Sequence, residues 1–395
     1  MRIAVVYGNE GADVRVAKTC GTLVRAGHEV HFIGWNRRPD VPLDESSLLP
    51  GVKRHIVEHA VPQRSSTPSG QWAFTRHAIR TLRQLRPDVV HAINEDNVVR
   101  IGWLKGWAFR QLICDVFDSH LDKHTDRNFL IRGIAAGVVH AVRWWSDRLI
   151  ATDDVRYETF GWARPKTTVI GNYPPDPGEE WSRRYPSGAP KIFASGTLSR
   201  VRGTGQLLAA AEQVPGLEIV AAGWAADEFT EQVFLQHPAV KFAGQVSPQR
   251  SLELAAECDA IVAMYEPYCR NHILASPNKI YDALSVGRPV IINSEAVVSR
   301  WVQAHETGFA CPYADTTALA GFFSTLLERR KSLPSFANRC RKLFLAGYSW
   351  EAMESRLLEL YSGLTAELPG REVSPPTLPL SQAAPPESYT SAKAA

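Results

Sequence analysis

The sequence has no stretch of about 18 consecutive apolar residues, so a helix that crosses a bilayer is not expected. Its six cysteines (Cys20, Cys114, Cys258, Cys269, Cys311 and Cys340) include no Cys-x-x-Cys pair and no metal-type spacing. Most stand beside apolar residues, which predicts buried thiols in a reducing compartment rather than a disulfide framework. An excess of one charge is also lacking. Lys+Arg number 44 against 41 Asp+Glu, a net +3, which excludes a nucleic-acid binder held by a strong basic field. No Asp-x-Asp element stands in a metal-binding context. The opening MRIAVVYGNEG carries an apolar run too short for the core of a secretory signal. The expectation is a cytoplasmic protein, soluble or peripheral at the inner face of the membrane.

What is present is length and alternation. A chain of 395 residues exceeds what one core usually supports and predicts two domains of roughly 150–200 residues each. Short apolar runs at 2–7, 29–34, 88–93, 112–117 and 148–152 alternate with helix-like stretches, the signature of βαβ units and a parallel sheet. Residues 172–190 then carry five prolines and read as a linker, neither a continuous helix nor a central strand. The alternation resumes at 191–195, 217–222, 240–243, 260–265 and 288–293. The predicted organisation is an N-terminal domain over 1–172, a linker over 173–190, a C-terminal domain over 191–347, a crossing helix over 348–365 and a disordered Pro/Ser/Ala-rich tail over 366–395. Two doubly wound α/β domains would face each other across an interdomain cleft, with ligands outside the carboxyl ends of the strands. Charge divides unevenly: residues 1–170 hold 24 Lys+Arg and 18 Asp+Glu, residues 171–365 hold 18 and 20.

Three stretches carry chemistry. In ASPNKIYDALSVGRPVIIN, residues 275–293, Ser276 reads as an N-cap, Pro277 as the first helical residue and Gly287 as the stop. Such a helix N-terminus, with Lys279 in its first turn and Asn278 beside it, suits a diphosphate, and Asp282 one turn on suits a ribose diol. In SGTLSRVRG, residues 195–203, a strand, a turn at Gly196 and the arginines Arg200 and Arg202 entering a helix would meet the same diphosphate. In DVFDSHLD, residues 115–122, Asp118 and His120 follow a buried strand. Each stretch alone is also compatible with ordinary capping and surface charge.

In order along the chain, the region from Asp13, Arg15 and Val16 through AGHEV, then DVVHAIN, DVFDSH, VIGN at Asn172, GTLSRVRG, the ASPNKIYDALSVGRPVI run and YSWEAMESRLLELY resemble one pattern. Over residues 1–365 the sequence resembles a family 4 glycosyltransferase of the GT-B fold, a retaining group that uses nucleotide sugars, in a branch with an S-P-N-K element. The resemblance implies that Arg202, Lys279 and His120 act at the reacting end: Arg202 on the donor diphosphate, His120 on the donor sugar. Gly11 and Ala12 would approach the donor phosphates, with Gly196, Arg200, Ser276, Asn278 and Asp282 completing the donor site. Two departures stand out. Leu274 occupies the place of a glutamate that touches the donor sugar in many members, and Thr197 that of an arginine on the phosphates.

The implied chemistry needs no metal and no other cofactor. Fixed positive groups would stabilise the leaving diphosphate, and its own oxygen would accept the acceptor's proton. The expected partners are a nucleotide sugar and a glycan or lipid-linked acceptor in polysaccharide or surface-glycoconjugate assembly, with no nucleic acid. Glycosylation of a soluble natural product, a nucleotide-sugar epimerase of the same architecture and a non-catalytic binding partner stay open. Arg76, Arg80, Arg83 and Arg86 fall on one helical face, and Phe129–Trp145 is apolar with Arg132 and Arg143. An anionic membrane surface would suit both; a core helix with snorkelling arginines is the other reading of the second.

Overall fold

The structure is a computed structural model that describes residues 1–9, 13–39, 50–61, 67–117, 119 and 129–366. Gly11, Ala12, Asp118, His120 and the tail from residue 367 on lie outside the described residues. The described residues form two compact units, one of Met1–Asn172 joined by Glu354–Ala366, the other of Tyr173–Met353.

In the first unit β1 (Arg2–Val6), β2 (Glu29–Asn36), β3 (Lys53–Glu58), β4 (Val89–Ile93), β5 (Gln111–Val116), β6 (Arg148–Ala151) and β7 (Thr167–Val169) form one parallel sheet, ordered β3-β2-β1-β4-β5-β6-β7. In the second, β8 (Lys191–Leu198), β9 (Glu218–Ala225), β10 (Val240–Phe242), β11 (Ala260–Val262), β12 (Val290–Asn293) and β13 (Gly308–Cys311) form another, ordered β10-β9-β8-β11-β12-β13. Helices cover both faces, so central strands such as β4 and β5 are buried at every residue. The doubly wound α/β expectation is met in each unit. Strand order reverses between β1 and β4 and between β8 and β11, where connections diverge and leave a crevice at the strands' carboxyl ends.

Three strands escape the sequence pattern. β3 (KRHIVE) and β7 are half-exposed edge strands without a continuous apolar run, and β13 is only four residues long. All six cysteines are free thiols; five are buried, and burial raises the pKa of Cys20, Cys258 and Cys340 to about 12.

A buried ionic cluster organises the first unit. Asp13 caps the helix Val14–Arg25 by accepting the N–H groups of Arg15 and Val16 at 2.9 and 3.1 Å. That start places Arg15 against the carboxyl end of β5, where it donates to Asp115 at 2.8 Å and to the Ile170 carbonyl at 2.7 Å. His91 approaches the same carboxylate at 3.4 Å, and its other ring nitrogen bonds the Tyr361 hydroxyl at 2.8 Å. Tyr361 lies on the closing helix Trp350–Ala366, which begins in the second unit and enters the first at Glu354. Burial alone would raise the Asp115 pKa; Arg15 and His91 outweigh it and hold it below the usual range.

In the second unit, residues 173–190 are packed rather than free. Tyr173 is buried against Tyr281 and Tyr348, and Asp176 takes a bidentate pair from Arg341. Arg288 is fully buried, with no bonded carboxylate among the described residues. It donates to the carbonyls of Ala256 (2.6 Å), Cys258 (3.0 Å), Val286 (2.9 Å) and Gly287 (3.1 Å). Those carbonyls end the helices Pro248–Ala256 and Asn278–Val286, so one cation closes two helix C-termini where their dipoles favour it. Burial lowers its pKa to about 10, which leaves it charged at neutral pH.

The Arg15–Asp115 pair predicts a measurable loss. Asp115→Asn leaves a buried guanidinium without its counter-ion and should cost roughly 3–5 kcal/mol in urea unfolding of the first unit. Because the folded pKa is depressed, the pair's contribution is complete above the unfolded carboxyl value of about 3.9 and disappears as pH falls through the folded value. The variant should therefore show a shallower acid dependence than the parent.

Candidate active site

The second unit assembles a pocket at its crevice, beside β8 and β11. β8 runs further than expected, through Gly196 to Leu198, so Gly196 lies within the strand and not in a turn after it. Gly196 holds φ +85°, and its partner on β9 is Gly223 at φ +129°. A Cβ on Gly223 would stand 1.9 Å from the Gly196 carbonyl oxygen, so only glycine lets the two backbones lie together there. A Cβ on Gly196 would stand 3.3 Å from Lys279 Nζ. The lysine ammonium therefore rests against bare backbone. Ser195, Thr197, Arg202, Ala263, Tyr265 and Lys279 line the resulting pocket.

Arg202 closes a 3-10 turn, Arg200–Arg202, that precedes the helix Thr204–Ala211; the arginines do not themselves enter that helix. The Arg202 guanidinium lies 3.8 Å from the centre of the Tyr265 ring, and the Tyr265 N–H is fixed by the Asn293 side chain at 2.9 Å. A planar cation stacked on an aromatic face keeps its position without a carboxylate. Lys279 is lowered to about 8, first by burial and then by Arg202, with Asp282 pulling the other way. Neither cation is in a salt bridge with a carboxylate among the described residues. Two cations held this close, with no bonded counter-ion, make a site for an anion.

The helix Asn278–Val286 adds its N-terminus. Its capping position is Pro277, with no side-chain cap, and Gly287 ends it at φ +66°. The expected Ser276 cap is thus corrected: the Ser276 hydroxyl bonds the Tyr281 hydroxyl at 2.7 Å instead. With no side chain on its first amides, this end can donate to an oxyanion. Asn278 is exposed at that end and Asp282 is one turn further in.

Arg200 does not join the pocket. Its guanidinium stacks 4.0 Å from the Phe229 ring, its N–H donates to Asp227 at 2.7 Å, and its carbonyl accepts from Tyr313 at 2.5 Å. Arg202, Lys279 and Gly196 are brought together, with Asp282 close enough to bias the lysine. Gly11 and His120, in the first unit, lie outside the described residues. Sequence reading missed His272. It is buried between Tyr265 and Tyr268, its Nδ1–H donates to the Glu266 carbonyl at 2.7 Å, and burial lowers its pKa. Its signal was position: YEPYCRNH follows β11, at the carboxyl end where ligands bind. Leu274 ends the short helix Arg270–Ile273 and offers no polar atom beyond its backbone.

Residues 189–329 match the family model described as Glycosyl transferases group 1, and residues 9–118 match Glycosyltransferase Family 4. Together these spans take in more than half of the chain. The chain is a glycosyltransferase. It is 24% identical over 424 residues to the glycogen synthase of Mycobacterium tuberculosis (strain CDC 1551 / Oshkosh), with 97% of each chain covered. Among solved structures it is similar to sucrose-phosphate synthase from Thermosynechococcus elongatus (TM-score 0.75, 17% identity, 93% of this chain and 100% of that one). It is also similar to Anabaena HepE in complex with UDP-glucose (TM-score 0.67, 16% identity, 92% and 100%). At these identities the structural likeness establishes the fold, GT-B. Among the described residues of this glycosyltransferase, no group of three or more His, Cys, Asp or Glu side chains is placed to hold a metal ion.

The lowered Lys279 sets a pH test. Above pH 8 the empty pocket holds a largely neutral lysine, and a bound polyanion recharges it. At pH ~8.5 nucleoside diphosphate binding should take up roughly 0.7 proton, read by calorimetry in buffers of different ionisation enthalpy. Affinity should decline as pH rises through about 8. Lys279→Met should abolish the uptake.

Proposed function

We propose that the protein transfers a sugar from a nucleoside diphosphate sugar to a glycan or lipid-linked acceptor, with retention at the anomeric carbon, in polysaccharide or surface-glycoconjugate assembly. The observation that carries this reading is the pairing of Arg202 and Lys279 in one pocket at the carboxyl ends of β8 and β11. The UDP-glucose in the Anabaena structure and the likeness to a glycogen synthase support the donor and acceptor classes.

The bond from the anomeric carbon to the diphosphate oxygen breaks, and negative charge grows on the leaving phosphate. Arg202, Lys279 and the first amides of the helix Asn278–Val286 meet that charge with fixed positive groups, the largest single contribution such a site can make. Bare backbone at Gly196 leaves room for the phosphates beside the ammonium, and Asp282 accepts from the ribose hydroxyls. Ser276 and Asn278 border the same end of the pocket. The acceptor hydroxyl attacks from the face the leaving group departs, and its proton passes to the departing phosphate oxygen. The products are the new glycoside and a nucleoside diphosphate. No metal is assigned a role, and His120 and Gly11 keep the donor-side roles that the resemblance implies.

Arg202→Ala should weaken nucleoside diphosphate binding about 10- to 100-fold, the worth of one or two charge-assisted hydrogen bonds, while the bare nucleoside loses less than about twofold. Equal losses for the two ligands would overturn the assignment. Transfer activity should also persist in excess chelator, and its loss there would assign the diphosphate charge to a metal.

A further inference from the structure

The helix Phe129–Trp145 is only partly a core helix. Of its residues, Ala135, Val139 and Val142 are buried, whereas Phe129, Ile134 and Trp144 are 80%, 69% and 70% exposed. The core-helix reading of this stretch is therefore corrected for most of its length. Beside it in the first unit packs the helix Glu95–Ile101, and beside that the helix Pro68–Leu85. These three helices and the turn after Ile101 carry half of the large apolar side chains exposed among the described residues. Trp72, Trp103 and Trp107 all project from this face.

The charge on the face has one sign at its edges. Neither Pro68–Leu85 nor Phe129–Trp145 contains an Asp or Glu. Arg76, Arg80 and Arg83 line a shallow groove with Trp72 and Ile79. The guanidinium of Arg76 lies 5.2 Å from the Trp72 ring and that of Arg83 4.3 Å from the Trp107 ring. The middle helix contributes one exposed acid, Asp96, and Arg100 neutralises it at 2.6 Å. Three arginines on a face whose two flanking helices hold no acid complement a surface of uniform negative charge. Indole rings flanked by arginines that bond no acid among the described residues match the boundary between head groups and acyl chains, where rings sit at the interface and guanidinium groups meet anionic phosphates.

We propose that this three-helix face of the first unit is a docking surface for an anionic lipid bilayer, with the Trp and Phe side chains entering the interface and Arg76, Arg80 and Arg83 on lipid phosphates. No helix among the described residues is long and apolar enough to cross a membrane, so the contact is in-plane.

Flotation of the full chain with phosphatidylglycerol-containing and pure phosphatidylcholine vesicles tests this. The protein should float with the anionic vesicles, release at high salt, and not float with the neutral ones. Replacing Arg76, Arg80 and Arg83 together by Gln should weaken binding about 100-fold, on the basis of the contribution per basic residue near a charged leaflet. Phe129→Ser with Ile134→Ser should weaken it at least about tenfold, with thermal unfolding of the purified variants confirming that they fold. Equal flotation of parent and both variants, or no binding to anionic vesicles at low salt, would overturn the proposal. So would a dimer in sedimentation without vesicles that the Phe129 and Ile134 substitutions dissolve, because the face would then belong to a second copy. Nucleoside diphosphate affinity should be unchanged in both variants, so a failure here is separable from a failure of the transferase reading.

Discussion

The candidate site depends on a place where no side chain can stand. Gly223 admits the backbone of Gly196 to contact across β8 and β9, and Gly196 in turn leaves its α-carbon bare under the Lys279 ammonium. Any Cβ at position 223 would collide with a carbonyl oxygen, which cannot swing aside as a side chain can. The two glycines thus fix how deep the lysine sits. Depth is what withdraws the ammonium from water and, with Arg202 nearby, brings its pKa to about 8. A cation in that state gains most from an arriving polyanion, because binding restores the charge that burial penalised.

Elements that never touch the pocket hold it in place. Arg288 closes the C-terminal end of the helix whose N-terminal end faces the site: two of its bonds hold the Val286 and Gly287 carbonyls at that far terminus, and the other two tie it to the end of the helix Pro248–Ala256. Tyr281 of the same helix is clamped among Tyr173, Trp301 and Tyr348, and its hydroxyl takes Ser276. Arg202 relies on stacking over Tyr265 rather than on an acid, which leaves the guanidinium's charge unneutralised. In the first unit, Arg15 and Asp115 serve a comparable end. A paired charge under the carboxyl end of β5 joins the first helix, the fifth strand and the closing helix through His91 and Tyr361. Such a pair adds little net stability against an apolar alternative; its geometry does fix the register of three elements.

Much of the fold was legible because its signals are local. Buried parallel strands read as apolar runs, and glycine stops such as Gly27 and Gly287 fall where expected, both at positive φ. What escaped were elements whose stability is not local. β3 and β7 are edge strands that lean on one neighbour, and β13 is short. Ser276 read as a cap because serine before proline often is one, yet the Tyr281 hydroxyl, one turn into the same helix and itself clamped by Tyr173 and Tyr348, claimed it. Arg200 and Arg202 are two residues apart and looked alike. A tight turn sends one to Phe229 and the other to Tyr265. His272 gave no spacing signal at all.

Sequence alone determined the alternation of strand and helix, a basic residue just past one strand end and another in the first turn of a helix, since these follow from periodicity, helix-start signals and residue type. Tertiary structure decided which arginine meets Lys279, how far that lysine is withdrawn from water, and that the apolar side of Phe129–Trp145 faces outward. Those outcomes depend on which backbones lie side by side in a folded sheet, a relation that spacing along one chain does not encode.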